Sequence, residues 1–99
     1  MICNGLSDKQ QTALIAILKN NNRVKSAYLF GSRAIGTYKE NSDIDIVLIG
    51  DELTLTDIAA LLSEIELTTI PYKVDLLVKH KIKNRALLEH INKLAVKLF

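Results

Sequence analysis

Two kinds of pattern alternate along the chain: stretches whose apolar residues recur every three to four positions, and short runs that are apolar almost throughout. Ser7 with Gln10 three residues later forms a capping-box pattern, and Leu14, Ile17 and Leu18 then share one helical face until the polar run Asn20-Asn21-Asn22. This predicts a first helix from Ser7 to Lys19. Val24 to Phe30 carries the strand formers Val24, Tyr28, Leu29 and Phe30 and stops at Gly31, while Ile44 to Ile49 is apolar and mostly β-branched apart from Asp45 and stops at Gly50. Both read as strands. After Thr54, the set Ile58, Leu61, Leu62 and Ile65 follows the i, i+3, i+4, i+7 spacing of a helix that packs by one face and ends near Glu66. Lys73 to Val78, after Pro71, reads as a third strand. Leu87, Ile91, Leu94 and Leu98, with Leu88 and Ala95 beside them, draw a stripe along a closing helix from Lys83 to Phe99.

The connections order these elements. Gly31 to Ser42 is short for a parallel crossover, so the first two strands are expected to pair antiparallel around one helical turn. The second connection is long and carries a helix, which suits a right-handed parallel crossover. The expected fold is α/β (α+β): a small mixed β-sheet of about three strands with helices packed on it. Ninety-nine residues allow one modest core, so residues 1–99 are expected to form a single domain.

Composition narrows the classes. At 48% hydrophobic and 24% charged, with one proline and four glycines, the chain has the profile of a folded protein. Thirteen Lys and Arg against eleven Asp and Glu leave a formal charge of +2, far from the dense basic surface of a sequence-independent nucleic-acid binder. Direct nucleic-acid binding is not expected. No run approaches the ~18 apolar residues of a membrane span, and Met1 to Gly5 lacks the basic and apolar regions of a signal peptide. The single cysteine, Cys3, cannot form a disulfide framework or a cysteine metal site within one chain, so a reducing cytoplasm is the expected location.

The chemistry concentrates in Leu29-Phe30-Gly31-Ser32-Arg33-Ala34-Ile35-Gly36 and Ser42-Asp43-Ile44-Asp45-Ile46-Val47-Leu48. Side chains alternate across a strand, so Asp43 and Asp45 project to one face and Ile44, Ile46 and Leu48 to the other. Two adjacent anions resist joint ionisation unless a cation lies between them. Hard oxygen donors select Mg²⁺ or Mn²⁺ over zinc, and Mg²⁺ takes one or two carboxylates while phosphates and water complete its shell. Asp75 interrupts the third strand on the face opposite to Val74, Leu76 and Val78. If the strands are neighbours, three carboxylates converge, enough for two metals roughly 3.5 to 4 Å apart.

Gly31 at a strand end lets the backbone approach a ligand closely, and the amides and dipole of the following turn favour phosphate. Ser32 can add a hydroxyl donor. Arg33 can add a charge-assisted bond or point to solvent. Bland readings compete: Asp43 after Ser42 is also a common turn residue, and Gly31-Ser32 alone suits any strand-to-turn junction. Asp45 shifts the balance, because an acid between Ile44 and Ile46 is costly as pure structure. His80 and His90 show no ligand partner at metal spacing and read as surface residues. Lys79-His80-Lys81-Ile82-Lys83 reads as a solvated connection, and Leu87, Ile91, Leu94 and Leu98 as core.

A Gly-Ser pair after a strand, ten intervening residues, Asp-x-Asp on the next strand and a lone Asp on a third resemble the DNA polymerase β type nucleotidyltransferase superfamily. The small size and the Gly-Ser-Arg-Ala opening are similar to its minimal nucleotidyltransferase branch, whose members often act as antitoxins beside a HEPN-domain toxin. The resemblance spans about Val24 to Val78. It implies a polymerase β palm-like fold and transfer of a nucleotidyl group, AMP from ATP, to an acceptor hydroxyl. It also implies Asp43, Asp45 and Asp75 as catalytic, metal-binding residues, and Gly31, Ser32 and Arg33 as the nucleotide-phosphate contacts. Many relatives carry Arg where Ile35 stands, so one phosphate contact is missing. The chain has no room for the extra helical domain of larger relatives, which implies a partner, the HEPN toxin, whose tyrosine would be the acceptor. The alternatives are a protein-binding antitoxin that neutralises a toxin by occlusion, or a subunit of an antibiotic- or RNA-modifying nucleotidyltransferase.

Overall fold

A computed structural model describes residues 4–99; Cys3, read above as a lone thiol, lies outside them. The elements run α1 (Asp8–Lys19), β1 (Ser26–Phe30), α2 (Ser32–Ile35), β2 (Ile44–Ile49), α3 (Leu55–Glu66), β3 (Val74–Val78), a 3₁₀ turn (Lys79–Lys81), α4 (Arg85–Leu94) and β4 (Val96–Lys97). Helix α1 begins where its capping box places it: the Gln10 amide donates to the Ser7 hydroxyl, and the Ser7 amide to the Gln10 side chain. Thr54 and Asp57 close the same reciprocal pair at the start of α3.

The four strands among the described residues form one mixed sheet in the order β3-β2-β1-β4. Strand β1 is antiparallel to β2, with Phe30 opposite Asp45, and β2 is parallel to β3, with Asp45 opposite Asp75. Both pairings follow the connection lengths. Side-chain alternation then divides the apolar residues between two faces. Ala27, Leu29, Ile44, Ile46, Leu48, Val74, Leu76 and Val78 meet Leu14 and Leu18 of α1 and Leu61 and Ile65 of α3 in the main core. Burial of each large aliphatic side chain there stabilises the fold by roughly 1.5–3 kcal/mol relative to exposure. On the opposite face, Phe30 and Val47 pack with Ile91 of α4, flanked by Tyr28, Leu77 and Leu87. Helix α4 therefore lies on the face that carries Asp45 and Asp75.

The end of the chain differs from the periodic reading. The closing helix stops at Leu94, Ala95 turns extended, and Val96–Lys97 pairs antiparallel with β1, Val96 opposite Leu29. The Leu98 amide donates to the Ala27 carbonyl, and the Ala27 amide to the Phe99 carbonyl. Leu94 is left 47% exposed, while Leu98 reaches the main core on the other side of the sheet. The physical reason is the unpaired backbone edge of β1, which a returning strand satisfies and a continued helix would leave open. Val96, β-branched, suits that edge.

Candidate active site

Asp45 and Asp75 lie side by side at one end of the face under α4. Along β2, Asp45 and Val47 leave the same side; Val47 is fully buried and Asp45 only partly, so the strand passes from a packed middle to a polar end. The register sets Asp75 beside Asp45 in the parallel pair. Asp45 titrates above its ordinary value: burial is the largest cause, followed by the charges of Asp75 and Asp43, while His90 and Lys73 pull the other way. Asp43 is exposed just before β2 and lines a shallow pocket of about 450 Å³ with Glu40, Tyr72 and Lys73. Asp75 is 44% exposed at its side chain, 3.8 Å from the Lys73 ammonium, an ion pair too solvated to add much stability.

These donors fit a hard divalent cation in kind. Asp75 and Asp43 disfavour the charge of Asp45, and all three side chains offer oxygen donors. Among the described residues, however, no three His, Cys, Asp or Glu side chains stand close enough to form a ready-made metal cage. An Mg²⁺ ion does not need one, since it is commonly held by one or two carboxylates together with the phosphates of its substrate.

The turn after β1 is built against these acids. Gly31 adopts φ 76° and ψ −158°, a conformation that side chains disfavour, and a Cβ on it would run into the Asp45 carboxylate. The Gly31 carbonyl accepts from the amides of Ala34 and Ile35 at 3.1 and 3.3 Å, which starts the single turn α2. Its amide donates to Nε2 of His90 at 3.1 Å. Ser32, next in line, is partly exposed.

Arg33 is placed differently from the phosphate contact expected of it. Its side chain is only 1% exposed. Nε and Nη2 donate to the Ser42 carbonyl at 3.1 and 2.9 Å, and Nη1 to the Asn4 carbonyl at 3.0 Å. The guanidinium also lies 4.2 Å from the Tyr72 ring centroid and 5.3 Å from that of Tyr38. A charge can be buried this way because carbonyl acceptors and two aromatic faces replace water. The residue thus braces the segment that enters β2, one position before Asp43.

His90 is the site residue that sequence reasoning passed over. Its ring meets Phe30 edge-on, with centroids 6.2 Å apart and planes at 73°. A signal was available: His90 lies three residues after Leu87 and four before Leu94, so it sits on the border of the apolar stripe rather than on the solvent side.

The fold agrees with that of known proteins. The chain belongs to the polymerase beta nucleotidyltransferase family, which it matches over residues 12–99. A relative from Methanocaldococcus jannaschii named as a protein adenylyltransferase is 43% identical over 70 residues, covering 69% of this chain and 70% of the relative. A second protein of that organism with the same designation is 54% identical over 33 residues, 33% of each chain. Among solved structures, a toxin-antitoxin complex with AMP-PNP aligns with a TM-score of 0.75 at 25% identity, covering 90% of this chain and 72% of the matched one. A chain of the tri-AMPylated Shewanella oneidensis HEPN toxin in complex with MNT antitoxin shares the fold, with a TM-score of 0.71 at 20% identity over 95% of this chain and 72% of that one.

Proposed function

We propose that this protein transfers AMP from ATP to a hydroxyl of a HEPN-domain partner, and so acts as the antitoxin of a toxin–antitoxin pair in the cytoplasm. The observation that carries the reading is the alignment of Asp45 with Asp75 across a parallel strand pair, with the Gly31 turn packed onto Asp45. Asp43 and Asp45 would hold a divalent cation, Mg²⁺ or Mn²⁺. When bound, such a cation offsets the charge of the leaving pyrophosphate and lowers the pKa of an attacking hydroxyl.

The residues of the chain take the remaining roles. Gly31 leaves room for the triphosphate, and the Ser32 hydroxyl donates to a phosphate oxygen. Asp75, whose side chain is half-exposed and paired with Lys73, accepts the proton of the acceptor hydroxyl. The acceptor oxygen forms a bond to the α-phosphorus as the bond from that phosphorus to the bridging oxygen breaks, and pyrophosphate departs. Residues 1–99 form one minimal transferase domain in this reading, with the partner supplying the acceptor surface. The relatives named protein adenylyltransferase and the toxin-antitoxin complex with AMP-PNP support it.

The test is transfer itself. Incubated with labelled ATP, Mg²⁺ and a HEPN-domain partner, the wild type should label that partner, and the Asp43→Ala, Asp45→Ala double variant should not. A partner that binds tightly but never gains label would replace the transferase reading with occlusion.

A further inference from the structure

We propose that His90 is a positioning residue for the nucleotide-binding turn, holding the Gly31 amide from helix α4 so that Ser32 faces the triphosphate. The inference rests on the nucleotidyltransferase reading above and adds to it a residue from outside the Gly-Ser and Asp-x-Asp segments.

Gly31 must be glycine because its φ of 76° and the nearby Asp45 carboxylate leave no place for a Cβ. That necessity has a cost: glycine is the residue whose backbone is least restrained by itself. A turn meant to present Ser32 in one orientation therefore needs restraint from elsewhere. On one side of Gly31 it comes from the chain, since the carbonyl accepts the Ala34 and Ile35 amides. On the other side the amide points out of the turn, and the acceptor it meets is Nε2 of His90, 59 residues away, at 3.1 Å.

The imidazole is itself held. The edge-on contact with Phe30 fixes one side of the ring, and the neighbouring Ile91 is buried against Phe30 and Val47. In this bond the Gly31 amide is the donor and Nε2 the acceptor. The Gly31 peptide is thereby clamped between α2 and α4, and the triphosphate is left the Ser32 end of the turn. Phosphate binding at that turn thus depends on the packing of a helix that touches no phosphate.

The experiment uses the full chain, wild type, His90→Ala and His90→Gln. Glutamine carries an acceptor oxygen at about the reach of Nε2 but cannot reproduce the ring contact with Phe30, so it separates the hydrogen bond from packing. Three quantities are measured: hydrogen exchange at the Gly31 amide by NMR, affinity for AMP-PNP with Mg²⁺, and thermal stability. In His90→Ala the Gly31 amide should lose protection and affinity should fall about three- to tenfold, the net worth of one hydrogen bond. His90→Gln should restore both even where its melting temperature stays low. Unchanged Gly31 exchange in His90→Ala, or equal affinity losses in the two variants that follow their melting temperatures, overturns the proposal while the transferase reading stands. A wild type that binds no AMP-PNP overturns the transferase reading, and with it the phosphate role given to His90.

Discussion

Asp45 and Asp75 are register partners in the parallel pair β2–β3, so their carboxylates leave the same face of the sheet from strands about 4.8 Å apart. Nothing about folding requires this. Burial, and then the charge of Asp75, disfavour the ionised form of Asp45, which titrates above 3.8. The native state then binds more protons than the unfolded chain over the interval just above 3.8, and stability falls as pH rises through it.

The isosteric Asp45→Asn substitution removes both the repulsion and the desolvated charge. Without divalent cations it should melt above the wild type at neutral pH and lose the decline in stability that begins near pH 4, while transfer drops to background. Added Mg²⁺ should stabilise the wild type and leave Asp45→Asn unmoved. A variant less stable than the wild type in EDTA would mean that the Asp45 charge is satisfied within the fold.

Gly31→Ala tests the turn. The new Cβ has to enter the space of the Asp45 carboxylate at a φ of 76°, at an expected cost of about 1–3 kcal/mol. Urea titration should show the loss. Nucleotide affinity should fall as well, because the displaced group is Asp45 itself.

Arg33→Lys separates bracing from phosphate binding. Lysine keeps the charge but cannot serve the Ser42 and Asn4 carbonyls together from one planar fork. The expected outcome is a stability loss of about 1–3 kcal/mol, as buried acceptors lose their donors. If the urea midpoint holds and only ATP affinity changes, the guanidinium contacts phosphate after all.

Asp57 supplies a pH test away from the site. Its carboxylate accepts the Thr54 amide and pairs with Arg23 at 3.1 Å, and its pKa is lowered from 3.8 to about 2, chiefly by that backbone hydrogen bond. A depressed carboxylate stabilises the fold above its unfolded pKa and ceases to do so as pH falls through the folded value. Wild-type stability should therefore decline between about pH 4 and pH 2 by more than that of Asp57→Asn, as followed by circular dichroism. Parallel declines would remove Asp57 from the account.

Some of this protein was legible in its sequence because the deciding forces are local. The capping pair Ser7–Gln10, helical periodicity in Leu14–Leu18 and Leu61–Ile65, and strand alternation around Asp45 depend on residues a few positions apart. Connection length gave the sense of the two pairings, antiparallel for β1–β2 and parallel for β2–β3. The same locality is the basis for expecting Asp43 and Asp45 on one face.

Other features depend on partners distant along the chain. Val96–Lys97 leaves the helical pattern because the edge of β1, some seventy residues earlier, offers unpaired amides and carbonyls that no local period can reveal. Arg33 reads as a phosphate contact or a solvent-facing cation until Ser42, Asn4, Tyr38 and Tyr72 surround it, and His90 reads as a surface histidine until α4 folds across the face of Asp45 and Asp75 and meets the Gly31 amide. The sequence by itself determined which side chains could share a face and what chemistry they could perform. Tertiary packing decided which of them meet, because a hydrogen-bond donor or buried charge settles on whichever acceptor the assembled fold brings within about 3 Å.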